Sequence, residues 1–96
     1  MTSKQRAYLR GLANNIDAIF QIGKNGLNDN LVKQLNDALE ARELIKITVL
    51  ENSPDTVKEA AEEIAENINA EVIQVMGNKI TLFRQKKKDS KIQLPE

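Results

Sequence analysis

The fold is most constrained by the order in which helical and alternating patterns of apolar residues follow one another along the chain. Apolar residues recur at helical spacing in three segments: 3–15, 28–42 and 53–68. Short alternating or continuous apolar runs, typical of strands, occupy four segments: 18–22, 44–50, 71–76 and 79–84. The sequence therefore predicts the element order α-β-α-β-α-β-β.

This order predicts a mixed sheet. Strand–helix–strand successions form parallel crossovers, whereas the last two strands are joined by Gly77-Asn78, a two-residue hairpin turn that makes them antiparallel. Segment 44–50 alternates apolar and polar residues, so one face of its strand is expected to be buried and the other wet. We predict an α/β fold, a two-layer sandwich with a mixed four-stranded sheet covered on one side and helices mainly on one face.

The ends of the elements also carry signals. Asn28 is a good N-cap for the second helix, and Ser53-Pro54-Asp55 predicts the start of the third, with a cap, a proline and an acid. Residues 1–88 are predicted to form a single domain, and residues 89–96, which lack periodicity, a mobile C-terminal tail. One shared core is predicted from seven apolar residues: Leu35, Leu39, Ile45, Ile47, Val49, Ile64 and Ile68.

The composition narrows the possible functions. The 96 residues include no cysteine and no histidine, which removes thiolate metal sites, the commonest general base and the nucleophile pairs that depend on histidine. We therefore expect a protein that is not an enzyme and that has no catalytic residues, cofactor or metal. No apolar run approaches the ~20 residues of a membrane span, and the N-terminus lacks a signal-peptide pattern. A cytoplasmic monomer is expected.

The zero net charge conceals an uneven distribution of charge. Residues 1–26 contain four cations and one acid, and residues 77–91 contain six cations and one acid. Residues 51–71 contain seven acids and one lysine. Binding to nucleic acid depends on a local basic surface rather than on total charge, so RNA or DNA remains a possible partner.

The stretch IGKNGLNDN, residues 22–30, contains two of the four glycines of the chain. Gly23 and Gly26 flank Lys24 and Asn25, and the predicted helix starts just after Asn28. One interpretation is a structural turn between a strand and a helix. The other is a loop that lets a phosphate approach the backbone, as in the GxxG loop of KH domains. The four residues alone do not decide between them.

Four segments together are more specific: KQRAYLRGLA, IGKNGL, ALEARELIKITVLE and VIQVMGNKITLFR. In this order and spacing they resemble the CRM domain family (chloroplast RNA splicing and ribosome maturation), in its stand-alone bacterial YhbY-like form. The resemblance runs from about Ser3 to Lys88. It implies a fold similar to the C-terminal domain of translation initiation factor three, and an RNA-binding protein that acts on ribosomal RNA in the pre-large-subunit particle. The family often has histidine where this chain has Arg42.

The resemblance places an RNA-binding site on the loop and on a basic first helix. The expected residues are Lys4, Arg6, Arg10, Gly23, Lys24, Asn25 and Gly26, to which the start of the second helix adds Asn28. Contacts from Tyr8, Phe83 or the Lys86–Lys88 run stay open. The alternative function is a protein-interaction adaptor that docks through the acidic third helix without touching RNA. A small enzyme is a second alternative, for which the sequence offers no candidate residues.

Overall fold

A computed structural model describes all 96 residues and contains three helices and four strands. The helices are α1 (Ser3–Ala13), α2 (Asp29–Arg42) and α3 (Val57–Ile68). The strands are β1 (Phe20–Ile22), β2 (Leu44–Val49), β3 (Glu71–Met76) and β4 (Lys79–Phe83). The predicted order of elements is confirmed.

The four strands form one mixed sheet in the order β1-β2-β4-β3. β1 pairs with β2 in parallel, whereas β2 with β4 and β4 with β3 are antiparallel pairs. The turn between β3 and β4 has two residues, since Met76 pairs with Lys79. The prediction of an α/β fold with a mixed four-stranded sheet is confirmed.

The main core lies between the sheet and the pair α2 and α3. It contains twelve buried residues. All seven residues of the predicted core belong to it: Leu35, Leu39, Ile45, Ile47, Val49, Ile64 and Ile68. The helical and alternating spacings therefore identified the correct faces of α2, β2 and α3.

A second, smaller core lies on the opposite face of the sheet. Leu9 and Ala13 of α1 pack there against Leu44, Ile73 and Phe83, and all five are buried. The expectation that the sheet is covered on one side only was therefore wrong, although two of the three helices do share one face. The apolar stripe of α1 needed a partner surface, and apolar residues on the second face of β2, β3 and β4 supply it.

The helix starts follow their capping residues. Asn28 caps α2 as predicted, and its Oδ1 accepts a hydrogen bond from the N–H of Leu31 at 2.8 Å. α3 begins later than predicted, because Thr56 is its cap and forms a reciprocal capping box with Glu59. Ser53 instead closes a tight turn, in which the Asp55 N–H donates to its hydroxyl at 3.2 Å.

The C-terminal segment lies against the domain, in contrast to the mobile tail predicted for residues 89–96. Ile92 and Leu94 pack on the second core beside Leu12 and Ile16. The amide of Gln5 also donates to the carbonyl of Pro95 at 3.1 Å. Two apolar side chains two residues apart are too few to make a pattern, yet they are enough to cover the edge of α1.

Glu43 holds this segment in place. It follows α2 with φ +67° and is 1% exposed. Its carboxylate accepts hydrogen bonds from the Ser90 hydroxyl at 2.6 Å and from the backbone N–H groups of Lys86 at 2.9 Å, Lys91 at 2.7 Å and Ile92 at 3.2 Å. Burial raises the pKa of Glu43, but these hydrogen bonds to the charged form outweigh burial, so the pKa lies below its usual 4.5.

Replacing this carboxylate tests the docking of the C-terminal segment. Glu43→Gln is expected to lower the free energy of unfolding at pH 7 by about 1.5–3 kcal/mol, because hydrogen bonds to a charged acceptor are lost. A lowered native pKa contributes stability that is complete above the unfolded pKa and is lost as pH falls through the native pKa. The difference between parent and variant should therefore shrink in denaturant melts below about pH 4.5.

Glu62→Gln, on the exposed side of α3, is the matched control and should change stability little at either pH. Equal unfolding free energies for the parent and Glu43→Gln at pH 7 would show that Glu43 does not anchor the segment.

Candidate nucleic-acid interface

The GKNG loop is a tight turn at the end of β1. The N–H of Gly26 donates to the carbonyl of Gly23 at 3.0 Å, which leaves Lys24 and Asn25 exposed at the tip. Beside it the N–H of Leu50 donates to the carbonyl of Ile22 at 2.9 Å, so the pairing with β2 continues to the edge of the loop. The turn therefore projects from a fixed position on the sheet.

The two glycines differ in what the fold requires of them. Gly26 has φ +61° and is buried, and a Cβ there would lie 2.9 Å from Cγ of Pro54. Gly23 has no such constraint, because its Cβ would meet Oδ1 of Asn52 and Cδ1 of Leu50 at 3.7 Å, which is ordinary contact. The turn explains Gly26 but leaves Gly23 without a packing reason.

Donors at the turn remain free of protein partners. The backbone N–H groups of Lys24 and Asn25 donate to no protein acceptor, and both residues are exposed. The flexible side chain of Lys24 adds a positively charged ammonium group to the turn. Asn28 contributes differently, since its side-chain oxygen is used to cap α2. The turn can thus offer backbone N–H groups and one cation to an anion from solvent.

An open cleft of about 540 Å³ lies beside the turn and collects residues from four parts of the chain. Its ten lining residues are Gln21, Gly23, Lys24, Asn25, Gly26, Asn28, Asn30, Leu31, Gln34 and Asn52. Five of the eight predicted site residues line it. Sequence reasoning missed Gln21, Asn30, Gln34 and Asn52, because isolated polar residues on β1, α2 and the β2–α3 connection share no pattern until the fold brings them together.

The predicted residues of α1 lie on a different surface. α1 covers the face of the sheet opposite α2, and Arg6 is bound to β3, the strand at the other edge from β1. Its guanidinium donates to the carbonyl of Val72 at 2.6 Å and lies 3.8 Å from the Glu71 carboxylate. Arg6 therefore ties α1 to the sheet, while Lys4 is exposed and Arg10 half-buried.

Another cation of the basic segments also serves the fold. Arg84 donates to the carbonyl of Ile68 at 2.6 Å and to Oδ1 of Asn36 at 2.7 Å, and it pairs with Glu40 at 3.2 Å. It joins β4 to α2 and to the end of α3. The adjoining Lys86–Lys88 run lines a separate cleft of about 440 Å³ with Arg84.

The structure groups no three acidic side chains closely enough to hold a metal ion. None of its helices combines the length and the apolar character that crossing a bilayer needs. The residues predicted for the site lie at the loop cleft and on α1, and Lys86–Lys88 line a third basic surface.

Comparison with known proteins identifies the family. The model of the CRS1 / YhbY (CRM) domain matches residues 1–84. The chain belongs to the CRM domain family. A relative from Bacillus subtilis, named as the probable RNA-binding protein YqeI, is 42% identical over 95 residues. The match covers 99% of each chain. A Haemophilus influenzae protein named as an RNA-binding protein is 30% identical over 95 residues, which are 99% of this chain and 95% of the relative.

A solved structure extends the likeness of this CRM domain to three dimensions. The solution structure of a hypothetical protein from Staphylococcus aureus superimposes with a TM-score of 0.82 and is 52% identical in sequence. The match covers 99% of both chains. The arrangement of three helices on a mixed sheet is thus shared with a protein of the same length.

Paired substitutions test the different roles of the two glycines. Gly26→Ala is expected to lower the free energy of unfolding by ~1 kcal/mol or more, because φ is positive and Pro54 lies in the way. Gly23→Ala should leave it unchanged or raise it by about 0.4–1 kcal/mol, since the unfolded chain loses freedom. Denaturant melts measure both. Equal losses for the two variants would contradict this distinction.

Proposed function

We propose that this protein binds RNA and that the turn Gly23–Gly26 holds phosphates of the RNA backbone. The observation that carries the proposal is the exposed turn with unpaired N–H groups, an exposed lysine and a glycine, Gly23, that packing does not require. Relatives of this protein in Bacillus subtilis and Haemophilus influenzae are named as RNA-binding proteins, which supports RNA as the ligand here.

The chemistry of the turn suits a phosphate. Phosphate oxygens accept hydrogen bonds, and the turn presents donors from its backbone together with the ammonium of Lys24. A residue without a Cβ at position 23 allows a ligand to approach the main chain. Asn25 lies at the tip, where its side chain is exposed and can reach the sugar or phosphate.

The basic side of α1 forms a second contact surface in this proposal. Lys4 is exposed and Arg10 is half-exposed, so both can meet a phosphate. Arg6 supports this surface by fixing α1 to β3, and its guanidinium is paired with the Glu71 carboxylate. α1 packs on the face of the sheet opposite α2, whereas the turn joins the end of β1 to α2, so an RNA that touches both spans more than one surface of the domain.

The proposed target is ribosomal RNA, bound during assembly of the large ribosomal subunit in the cytoplasm. This part of the proposal rests on what the family resemblance implies. The protein acts by binding, without catalysis, cofactor or metal. Crosslinking in cells followed by sequencing of the bound RNA tests the target, and we expect enrichment of large-subunit ribosomal RNA.

The effect of salt tests the phosphate contact. Lys24→Ala is expected to weaken binding to single-stranded RNA by a similar factor for every sequence. Loss of one phosphate contact should also reduce the slope of log K against log salt by about 0.7. Fluorescence anisotropy at several salt concentrations measures both, and Lys58→Ala on α3 is the matched control.

Two results would contradict the proposal. An affinity and salt slope unchanged by Lys24→Ala would make the GKNG loop a structural turn only. Capture of protein partners through the acidic residues of α3, insensitive to nuclease and without any RNA binding, would favour the adaptor function.

A further inference from the structure

The cleft beside the turn has an unusual chemical composition. Six of its ten lining residues carry a side-chain amide, one is a lysine and one is apolar. No aromatic residue lines it, so bases cannot be held there by stacking on a ring. No carboxylate lines it either, which leaves amides as its dominant chemistry.

Most of these amides are not used by the fold. The side chains of Gln21, Asn30, Gln34 and Asn52 make no hydrogen bond to protein groups, although four other amides of the chain do. Those four are Gln5, which donates to Pro95, Asn28, which caps α2, Asn36, which accepts from Arg84, and Gln85, which donates to Ile92. The cleft thus holds several donors and acceptors with no structural partner.

The fold places these amides around one space. Asn30 and Gln34 lie one helical turn apart on α2, so their side chains share a face. Gln21 extends from β1, and Asn52 comes from the connection between β2 and α3. Oδ1 of Asn52 lies only 3.7 Å from where a Cβ of residue 23 would be, so the amides border the phosphate-binding turn directly.

An amide suits a base better than a phosphate. A phosphate only accepts hydrogen bonds, so the carbonyl oxygen of each amide would find no donor on it and would be repelled by its negative charge. The edge of an unpaired base presents a donor and an acceptor side by side, which matches the amide in both. Phosphate recognition is therefore the task of the turn and its lysine, and the amides require a different part of the nucleotide.

We propose that the amide cleft recognises the hydrogen-bonding edge of one unpaired RNA base, adjacent to the phosphate at the turn. The proposal rests on the proposed RNA-binding function and adds sequence preference to it. Binding through the turn is uniform across sequences, whereas Gln34 and Asn52 distinguish one base from another.

Short single-stranded RNAs of equal length and different base composition test this inference by fluorescence anisotropy. We expect the parent protein to prefer one of oligo(A), oligo(C) and oligo(U) over the weakest by about 5-fold or more, the smallest effect of one well-made amide–base pair. Asn52→Ala and Gln34→Ala should reduce this ratio toward one. Lys24→Ala should weaken binding to all three RNAs and leave the ratio unchanged.

The matched control is Asn67→Ala, which removes an exposed amide from α3 and should change neither the ratio nor the affinity. Thermal melts of the variants establish that they are folded. Equal affinity of the parent for all three RNAs, or an equal loss for all three in Asn52→Ala and Gln34→Ala, would overturn the inference and leave RNA binding intact. Failure of the parent to bind any RNA would overturn the proposed function and the inference with it.

Discussion

The candidate interface depends on the contact between Gly26 and Pro54. Gly26 is buried with φ +61°, and any side chain there would collide with the proline ring. The turn is thereby fixed to the connection that leads into α3, while the parallel pair of β1 and β2 fixes its other end. Because both ends are held, the backbone of the turn has little conformational entropy left to lose when a ligand binds.

The elements of this fold were predictable because their apolar periodicities are strong, but the second face of the sheet was not. Leu44, Ile73 and Phe83 occupy positions that appear wet when each strand is considered alone, and only the apolar stripe of α1 makes them a core. Glu43 is a similar case. A lone glutamate at the end of a helix gives no sign that it will be buried under four hydrogen bonds from the C-terminal segment.

The candidate site likewise has one part that the local sequence suggested and another part that only the fold reveals. The GKNG loop was recognised as a candidate from local sequence, since glycine spacing and a following cap are local properties, and the family resemblance favoured phosphate binding over a structural turn. Arg6 was predicted as an RNA contact from the family resemblance, and the structure shows that its guanidinium is bonded to Val72 of β3. Asn52 lies far from the loop in sequence, so its place in the cleft follows from the β1–β2 pairing. The basic segments could be recognised from the sequence, whereas the grouping of the amides around one cleft depends on the fold.

Contact of RNA with the turn and its cleft can be followed residue by residue when the ¹⁵N-labelled protein is titrated with a short single-stranded RNA and observed by two-dimensional NMR. We expect the backbone amide signals of Lys24 and Asn25 and the side-chain amide signals of Asn52 and Gln34 to shift together and to saturate together. Shifts confined to α3, with the signals of the turn unchanged at saturating RNA, would contradict this expectation.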